Sequence, residues 1–386
     1  MGASPTYQCD VAIAGGGLAG GLIALALAEK RPDLDVRIVE PGPKLGGNHL
    51  WSFFDSDVAA ENRWLVEPLI CHRWQGYDVA FPAHQRTLDA VYNSIESERL
   101  NALVRSRILP DRIISAGVVA IEGNRLSLSN QTSLTARHVI DARGPGDLAT
   151  LDLGWQKFVG QALTIKGGHG LTRPVVMDAT VDQVDGYRFV YCLPFDDETV
   201  FVEDTYYSDT PDLDVAAVRA RIADYAAAKG WTIATAAREE TGVLPVVIGG
   251  DFDRYWASSG VKVAKAGLRS GMFHATTGYS LPDAVRLATA LPGLLTDTAD
   301  LASLTEQLAR DHWRSRSYYR LLDTMLFRAA EPQLRYKIFE RFYRLSPGLI
   351  ERFYAGTSSI TDKVRILSGK PPVPIGRAIK ALLGRT

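Results

Sequence analysis

The feature that most constrains this chain is a glycine-rich run, Gly15 to Gly21 (GGGLAGG), directly behind an apolar segment, Cys9 to Ala14 (CDVAIA). Gly15, Gly17 and Gly20 give the spacing G-x-G-x-x-G, and each position has a physical reason. The first permits a tight turn out of a strand, the second lets backbone approach a pyrophosphate, and the third lets a helix pack closely on the strand. Leu18 to Glu29 is rich in Ala and Leu and reads as that helix. The unpaired N–H groups of Leu18 and Ala19, at the positive end of its dipole, then face a diphosphate. Val36 to Glu40 (VRIVE) reads as the next strand and closes a βαβ unit. Glu40 ends it twenty residues beyond Gly20, where a carboxylate accepts hydrogen bonds from ribose hydroxyls and disfavours the added phosphate of NADP. A lone G-x-G-x-x-G marks no more than a closely packed helix start. With strand, helix, second strand and terminal acid all in place, it predicts a dinucleotide site, for FAD or NAD.

At 386 residues and 46% hydrophobic content, the chain suffices for one large composite domain or two ordinary ones. Its net charge of -1 argues against the basic surface that a nucleic-acid partner requires. That total conceals an asymmetry. From Arg314 to Thr386, fifteen Lys or Arg stand against five Asp or Glu, a balance of +10, and the preceding residues carry -11. Cys9, Cys71 and Cys192 lie far apart with no C-x-x-C pair, against a zinc site or a disulfide framework and for a reducing cytosol. The first residues lack the basic and apolar regions of a secretory signal, and no apolar run approaches the roughly 18 residues of a membrane span. The expectation is a cytoplasmic protein, soluble or peripherally associated with the membrane. Serine-hydrolase G-x-S-x-G, zinc-binding H-E-x-x-H and P-loop signatures are all missing from the sequence, so those chemistries lack support.

Val118 to Ser129 alternates like a hairpin around Gly123-Asn124, and Arg137 to Ala142 reads as a buried strand. Leu163 to Thr205 carries strand-like runs separated by turn residues, a second sheet. Asp214 to Gly230, Leu281 to Leu291 and nearly everything after Ser303 have helical composition. The fold class expected is α+β: a Rossmann-type dinucleotide fold with an inserted antiparallel sheet and a helical C-terminal region. The dinucleotide domain is expected to be discontinuous, over 7–50, 100–150 and 260–295, with a substrate domain over 51–99 and 151–259. Residues 296–386 would form a helical, basic, membrane-facing region. There Leu334, Ile338, Phe339, Phe342 and Leu345 recur near helical spacing beside Lys337, Arg341 and Arg344. The pattern reads either as a helix packed on the core with a solvated basic side or, with Tyr318, Tyr319, Phe353 and Tyr354, as a surface resting on anionic lipid.

Later segments choose between the two dinucleotides. Val139 to Gly144 (VIDARG) resembles the strand and turn that close over FAD in glutathione-reductase-type flavoproteins. Val263 to Val285 resembles their third flavin segment, with Gly267, Gly278, Tyr279 and Ser280 as candidate contacts to the ribityl chain and pyrophosphate. Alone these are ordinary glycine turns; in this order behind a Rossmann start they favour FAD. Gly46 to Phe54 (GGNHLWSFF), Val176 to Phe195, Phe201 to Tyr207 (FVEDTYY), Arg238 to Val246 (REETGVLPV) and His274 to Pro282 (HATTGYSLP) carry a broader likeness. Over essentially its whole length the chain is similar to bacterial lycopene cyclases. One departure is Ala275, where the family pattern has a proline that would fix φ.

The resemblance implies an FAD-dependent, membrane-associated enzyme that converts the linear ends of lycopene into β-ionone rings, through γ-carotene to β-carotene, without net redox change. Its partners would be lycopene, γ-carotene, a lipid surface and other enzymes of the carotenoid pathway. Its FAD would work in the reduced form, with NAD(P)H as electron source, either stabilising a cation or relaying a proton. A hydrocarbon diene offers nothing to coordinate or attack, so ring closure begins with protonation of its terminal double bond and requires a strong, dry acid. By the resemblance, FVEDT supplies it, with Glu203 as proton donor and Asp204 assisting. On a strand, Phe201 and Glu203 share one face, where desolvation raises the carboxyl pKa. Asp204 then points away, as a turn ligand or the partner of a basic group. Glu239 and Glu240 read equally as a solvated helix end or as residues that hold a loop at the active site or line the substrate channel, and His49 and Trp51 read as packing near the flavin. The same scaffold serves redox flavoenzymes such as geranylgeranyl-type reductases and FAD monooxygenases, which would consume NAD(P)H with each product.

Overall fold

The strand Cys9–Ala14 is apolar almost throughout because it is covered on both faces at the centre of a sheet. The computed structural model describes residues 8–369, 373 and 375–382. In it, Val36–Glu40 and then Ile113–Ser115 lie parallel on one side of this strand, and Ser133–Asp141 and then Ala264–Lys265 on the other. In chain order this is the doubly wound arrangement 3-2-1-4-5. Its order reverses between Cys9–Ala14 and Ser133–Asp141, and ligands bind at the carboxyl ends of the strands at such a switch. The glycine run leaves the central strand at that point. The hairpin Val118–Glu122 and Arg125–Leu128 turns at Gly123-Asn124 and extends the sheet antiparallel to Ser133–Asp141. Helix Leu18–Lys30 is buried from Leu18 through Leu27, wedged between the sheet and the helices Ser97–Arg107 and Leu281–Leu294.

The second sheet has eight strands, in the order Ile233–Gly250, Leu151–Ile165, Thr199–Ser208, Tyr187–Pro194, Val175–Asp178, His72–Phe81, His84–Glu96, Leu50–Phe54. Neighbours are antiparallel except Val175–Asp178 and His72–Phe81, which run parallel. Residues two apart share a face. Along Thr199–Ser208, Val200, Val202, Asp204 and Tyr206 face the helix Val215–Ala228, while Phe201, Glu203, Thr205 and Tyr207 face the other way. The observed class is therefore the expected α+β one, a Rossmann-type fold with an inserted antiparallel sheet and a helical C-terminal region.

Part of the tail's apolar stripe follows the packing reading. Ile338, Phe339 and Phe342 turn inward and pack on the second sheet's core, with Phe339 stacked on Tyr187 at 4.4 Å. Part of the basic surplus is also internal. Arg335 is 1% exposed, donates to the carbonyls of Leu326, Tyr207 and Phe327, and pairs with Asp209 at 2.8 Å. Arg316 is also buried and donates to the Gly356 carbonyl, while Arg352, itself exposed, pairs with the buried Asp362. Leu334 of the stripe stays exposed, and a larger outward apolar face lies on the helix Ile360–Leu367, where Ile360, Val364 and Leu367 share one side and are 80%, 62% and 47% exposed. Among the described residues, no helix is long and apolar enough to cross a membrane.

Candidate active site

A cavity of about 380 Å³ opens at the switch point of the first sheet, lined by Gly17, Leu18, Ala19 and Gly144 together with Gly267 and the segment Gly278 to Leu281. Gly15 turns at φ +102°, with its missing side chain 2.9 Å from the backbone of Ala142, and a Cβ on Gly20 would lie 2.0 Å from the Gly15 carbonyl. Neither position admits another residue without displacing the turn. At Gly17, by contrast, a Cβ would meet nothing within 4 Å. Gly17 also caps the helix Leu18–Lys30 with no side-chain hydrogen bond, so the N–H groups of the first turn are left for a ligand. This open, uncapped backbone fits the diphosphate of FAD. Glu40 ends the strand Val36–Glu40 beside the glycine run. Its carboxylate accepts from the N–H of Gly16 at 2.8 Å and of Gly42 at 3.0 Å, bracing the loop from behind. Each oxygen keeps a second lone pair that a ribose hydroxyl could use.

The rest of the cavity wall comes from the second sheet. Phe201, Glu203 and Tyr207 line it with Phe189 and Tyr191 of the adjacent strand, all on one face. The surface that Glu203 keeps is cavity wall, away from bulk water. Burial pushes its carboxyl up to about 8; the Thr205 hydroxyl, donating at 2.6 Å, works against this, and the charges of Glu240 and Asp204 add to it. Glu203 therefore holds its proton at neutral pH. The aromatic rings around it are ordered by their own bonds, with the Tyr191 hydroxyl donating to that of Tyr92 at 3.0 Å.

Asp204 is not part of this wall. It lies on the opposite face, gripped by Arg188 through Nε at 2.8 Å and Nη2 at 3.0 Å, with the Tyr206 hydroxyl donating at 2.8 Å. An assisting role beside the substrate is thus corrected to the alternative, the partner of a basic group, because strand alternation turns it away. Glu239 and Glu240 lie within the strand Ile233–Gly250, which corrects the helix-end reading, and strand alternation separates them in the same manner. Glu239 accepts from Gln161 at 2.9 Å and pairs with Arg219 outside the cavity. Glu240 is 4% exposed, lines the cavity, and is hydrogen-bonded to His49 Nδ1 at 2.9 Å and to the Leu50 N–H at 3.0 Å. His49 and Trp51, read as packing, are part of the same wall. Sequence reasoning missed Phe189, Tyr191, Tyr207 and Tyr354; the aromatic residues at every second position of Tyr187–Tyr191 are the signal that could have found the first two.

A second, apolar cavity of about 230 Å³ shares Met177, Tyr207, Thr277 and Tyr354 with the first and is closed by Phe339 and Phe342 of the tail. Its buried acid, Asp323, accepts from the Thr276 hydroxyl at 3.2 Å, and burial holds its carboxyl well above the usual range. The loop His274 to Ser280 between the cavities is fixed without the family's proline at Ala275. The N–H of His274 donates to the Tyr279 carbonyl and that of Gly278 to the His274 carbonyl, both at 2.9 Å, and the N–H of Val247 donates to the Ala275 carbonyl at 3.1 Å.

Known proteins resemble this chain in sequence and in fold. Residues 10–380 match the family model described as lycopene cyclase protein. A lycopene beta-cyclase of Pseudescherichia vulneris is 44% identical over 97% of this chain and 97% of its own length. A lycopene beta-cyclase of Pantoea ananas is 41% identical over 97% and 98%. Among solved structures, a geranylgeranyl bacteriochlorophyll reductase-like protein of Thermoplasma acidophilum superposes with a TM-score of 0.61 at 14% identity, covering 98% of this chain and 99% of that one. A halogenase solved in complex with FAD gives a TM-score of 0.61 at 13% identity, over 90% of this chain and 82% of that one. The distant structures establish the FAD-binding fold; the near relatives and the family match establish that the chain belongs to the lycopene cyclase family.

Proposed function

We propose that the chain is a lycopene β-cyclase, an isomerase of the intramolecular lyase class that closes both ends of lycopene in turn. The observation that carries this reading is the Glu203 carboxyl, held protonated on an aromatic wall that continues into the glycine cradle. The substrate has no heteroatom, so a proton from a desolvated acid is the one handle on it. Glu203 gives its proton to the terminal double bond. The electrons of the next double bond then close a six-membered ring on the resulting cation, and loss of a ring proton sets the double bond of the β-ionone ring. Phe189, Tyr191, Phe201 and Tyr207 exclude water and present ring faces to the positive charge. The Thr205 hydroxyl steadies the carboxylate that remains.

Gly15 and Gly20 shape the turn that would hold FAD, the backbone of Gly17, Leu18 and Ala19 would meet its diphosphate, and Glu40 its ribose. Gly267, Gly278, Tyr279 and Ser280 would flank the ribityl chain. Bound there in its reduced form, with NAD(P)H as electron source, FAD would supply negative charge to a cation without net redox change. Since the substrate is dissolved in lipid, the exposed face of Ile360, Val364 and Leu367, next to the remaining basic residues of the tail, supports peripheral docking on an anionic cytoplasmic leaflet.

Anaerobic incubation with lycopene, FAD and limiting NADPH tests this reading. Many rings per NADPH are expected, and Glu203→Gln, which keeps shape and removes the acid, is expected to retain FAD and lose cyclisation by about 100- to 10,000-fold. One NADPH oxidised per product would assign a redox flavoenzyme instead. A Glu203→Gln chain that cyclises at the intact rate would remove Glu203 from the mechanism.

A further inference from the structure

The reaction moves two protons at different carbons, one gained by the terminal double bond and one lost at the ring junction. The second sheet offers a second carboxylate in the right place for the loss. Glu203 and Glu240 are both register partners of Gly160, one on each neighbouring strand, so the three residues form a row across one face of the sheet. Two strand spacings separate the acid-bearing backbones by about 10 Å. Gly160 leaves the middle of the row without a side chain, and the Phe201 ring fills the place: a Cβ on Gly160 would lie 2.2 Å from Phe201 Cζ. Acid, aromatic face and carboxylate thus stand in sequence along one cavity wall, with room for an end group to close over the ring.

Glu240 is suited to take a proton and to pass it on. Its two oxygens are bonded to His49 Nδ1 and to the Leu50 N–H, which leaves each a further lone pair. Glu240 is 4% exposed at its side chain, whereas His49, which also lines the cavity, is 52% exposed, so the pair joins a buried carboxylate to an accessible ring. The Asn48 side chain donates to the Glu239 carbonyl at 2.6 Å and ties the His49 segment to the same strand.

We propose that Glu240 is the base that removes the ring proton and that His49 carries this proton to solvent, an inference that rests on the cyclase reading above. In balance, the O–H bond of Glu203 breaks as a C–H bond forms at the terminal double bond, and a C–C bond closes the ring. The ring-junction C–H bond then breaks, its electron pair becomes the ring double bond, and its proton binds the Glu240 carboxylate. His49 passes that proton to water, and Glu203 regains one from water once product has left. No electrons are gained or lost.

Glu240→Gln keeps both hydrogen bonds with neutral atoms and provides the test. Assayed beside the intact chain under reducing conditions, it is expected to retain FAD and to form β rings at least about 100-fold more slowly. The few products formed are expected to be enriched in rings with a displaced double bond or a captured hydroxyl, because the cation then loses another proton or meets water. Glu240→Asp is expected to restore β-ring selectivity in part. A Glu240→Gln chain that makes β rings alone, whether slowly or at the intact rate, overturns the assignment. Chemical rescue gives an independent readout if that variant loses FAD. His49→Ala is expected to turn over slowly and to recover severalfold with added imidazole, and its indifference to imidazole would overturn the relay. If the intact chain itself forms no rings, the cyclase reading fails instead.

Discussion

Glu203 makes the pH dependence of this chain predictable in sign. Its carboxyl titrates at about 8 in the folded chain against a usual 4.5. The donor form is lost as pH rises, so the cyclisation rate is expected to fall toward tenfold per unit above about pH 8, as a pH–rate profile at saturating lycopene would record. Stability follows the same group. Between 4.5 and about 8 the folded chain keeps a proton that the unfolded chain has released, so stability falls with rising pH across that window. Glu203→Gln escapes this loss. Thermal melts are expected to find it more stable than the intact chain at pH 8.5, by on the order of 3 kcal/mol, with the gap closing toward pH 4.5. Glu203 was legible from its place opposite Asp204 on a strand and from the family motif. Which of Glu239 and Glu240 enters the cavity was not, because their segment reads as a helix end or a loop, and the strand it forms is set by pairing with the distant Leu151–Ile165, with a register shift between Ala162 and Leu163, beside Arg238. Simple alternation cannot be counted through such an irregularity.

Secondary-structure elements formed by local sequence were the easiest to read. Cys9–Ala14 and Val36–Glu40 occupy the residues that their apolar pattern indicates, and the helix between them begins at Leu18. Partners distant in sequence were not readable, as with the parallel pairing of His72–Phe81 and Val175–Asp178, because no local pattern encodes it. The tail's apolar stripe showed the right residues and left open which body they pack against. Two predictions belong at this scale. Gly20→Val is expected to abolish FAD retention, since its side chain would overlap the Gly15 carbonyl; flavin absorbance of the purified chain reads this. Arg188→Ala takes the guanidinium from Asp204, which stays buried between the sheet and the helix Val215–Ala228 with the Tyr206 hydroxyl still donating to it. It is expected to cost about 3–5 kcal/mol in urea unfolding, while Asp204 itself stays remote from the chemistry.

For the whole molecule, charge and exposure act together at the tail. The surplus of +10 after Arg314 suggested lipid from sequence, and the fold sorts those arginines into internal staples and outward charges. Ile360→Glu with Val364→Glu is expected to weaken flotation with anionic vesicles, and added salt to weaken the intact chain's binding by screening the basic part. The cavity wall has a kinetic consequence as well. It presents Glu203 as a lone donor to a substrate with two identical termini. A stiff polyene cannot offer both termini to one donor at once, so the half-finished molecule must back out, tumble end for end in the bilayer and dock afresh. The chain would then work distributively, each visit an independent draw from the lipid pool. With scarce enzyme, γ-carotene is expected to build up first and β-carotene to follow after a lag, a time course that chromatography of quenched samples resolves.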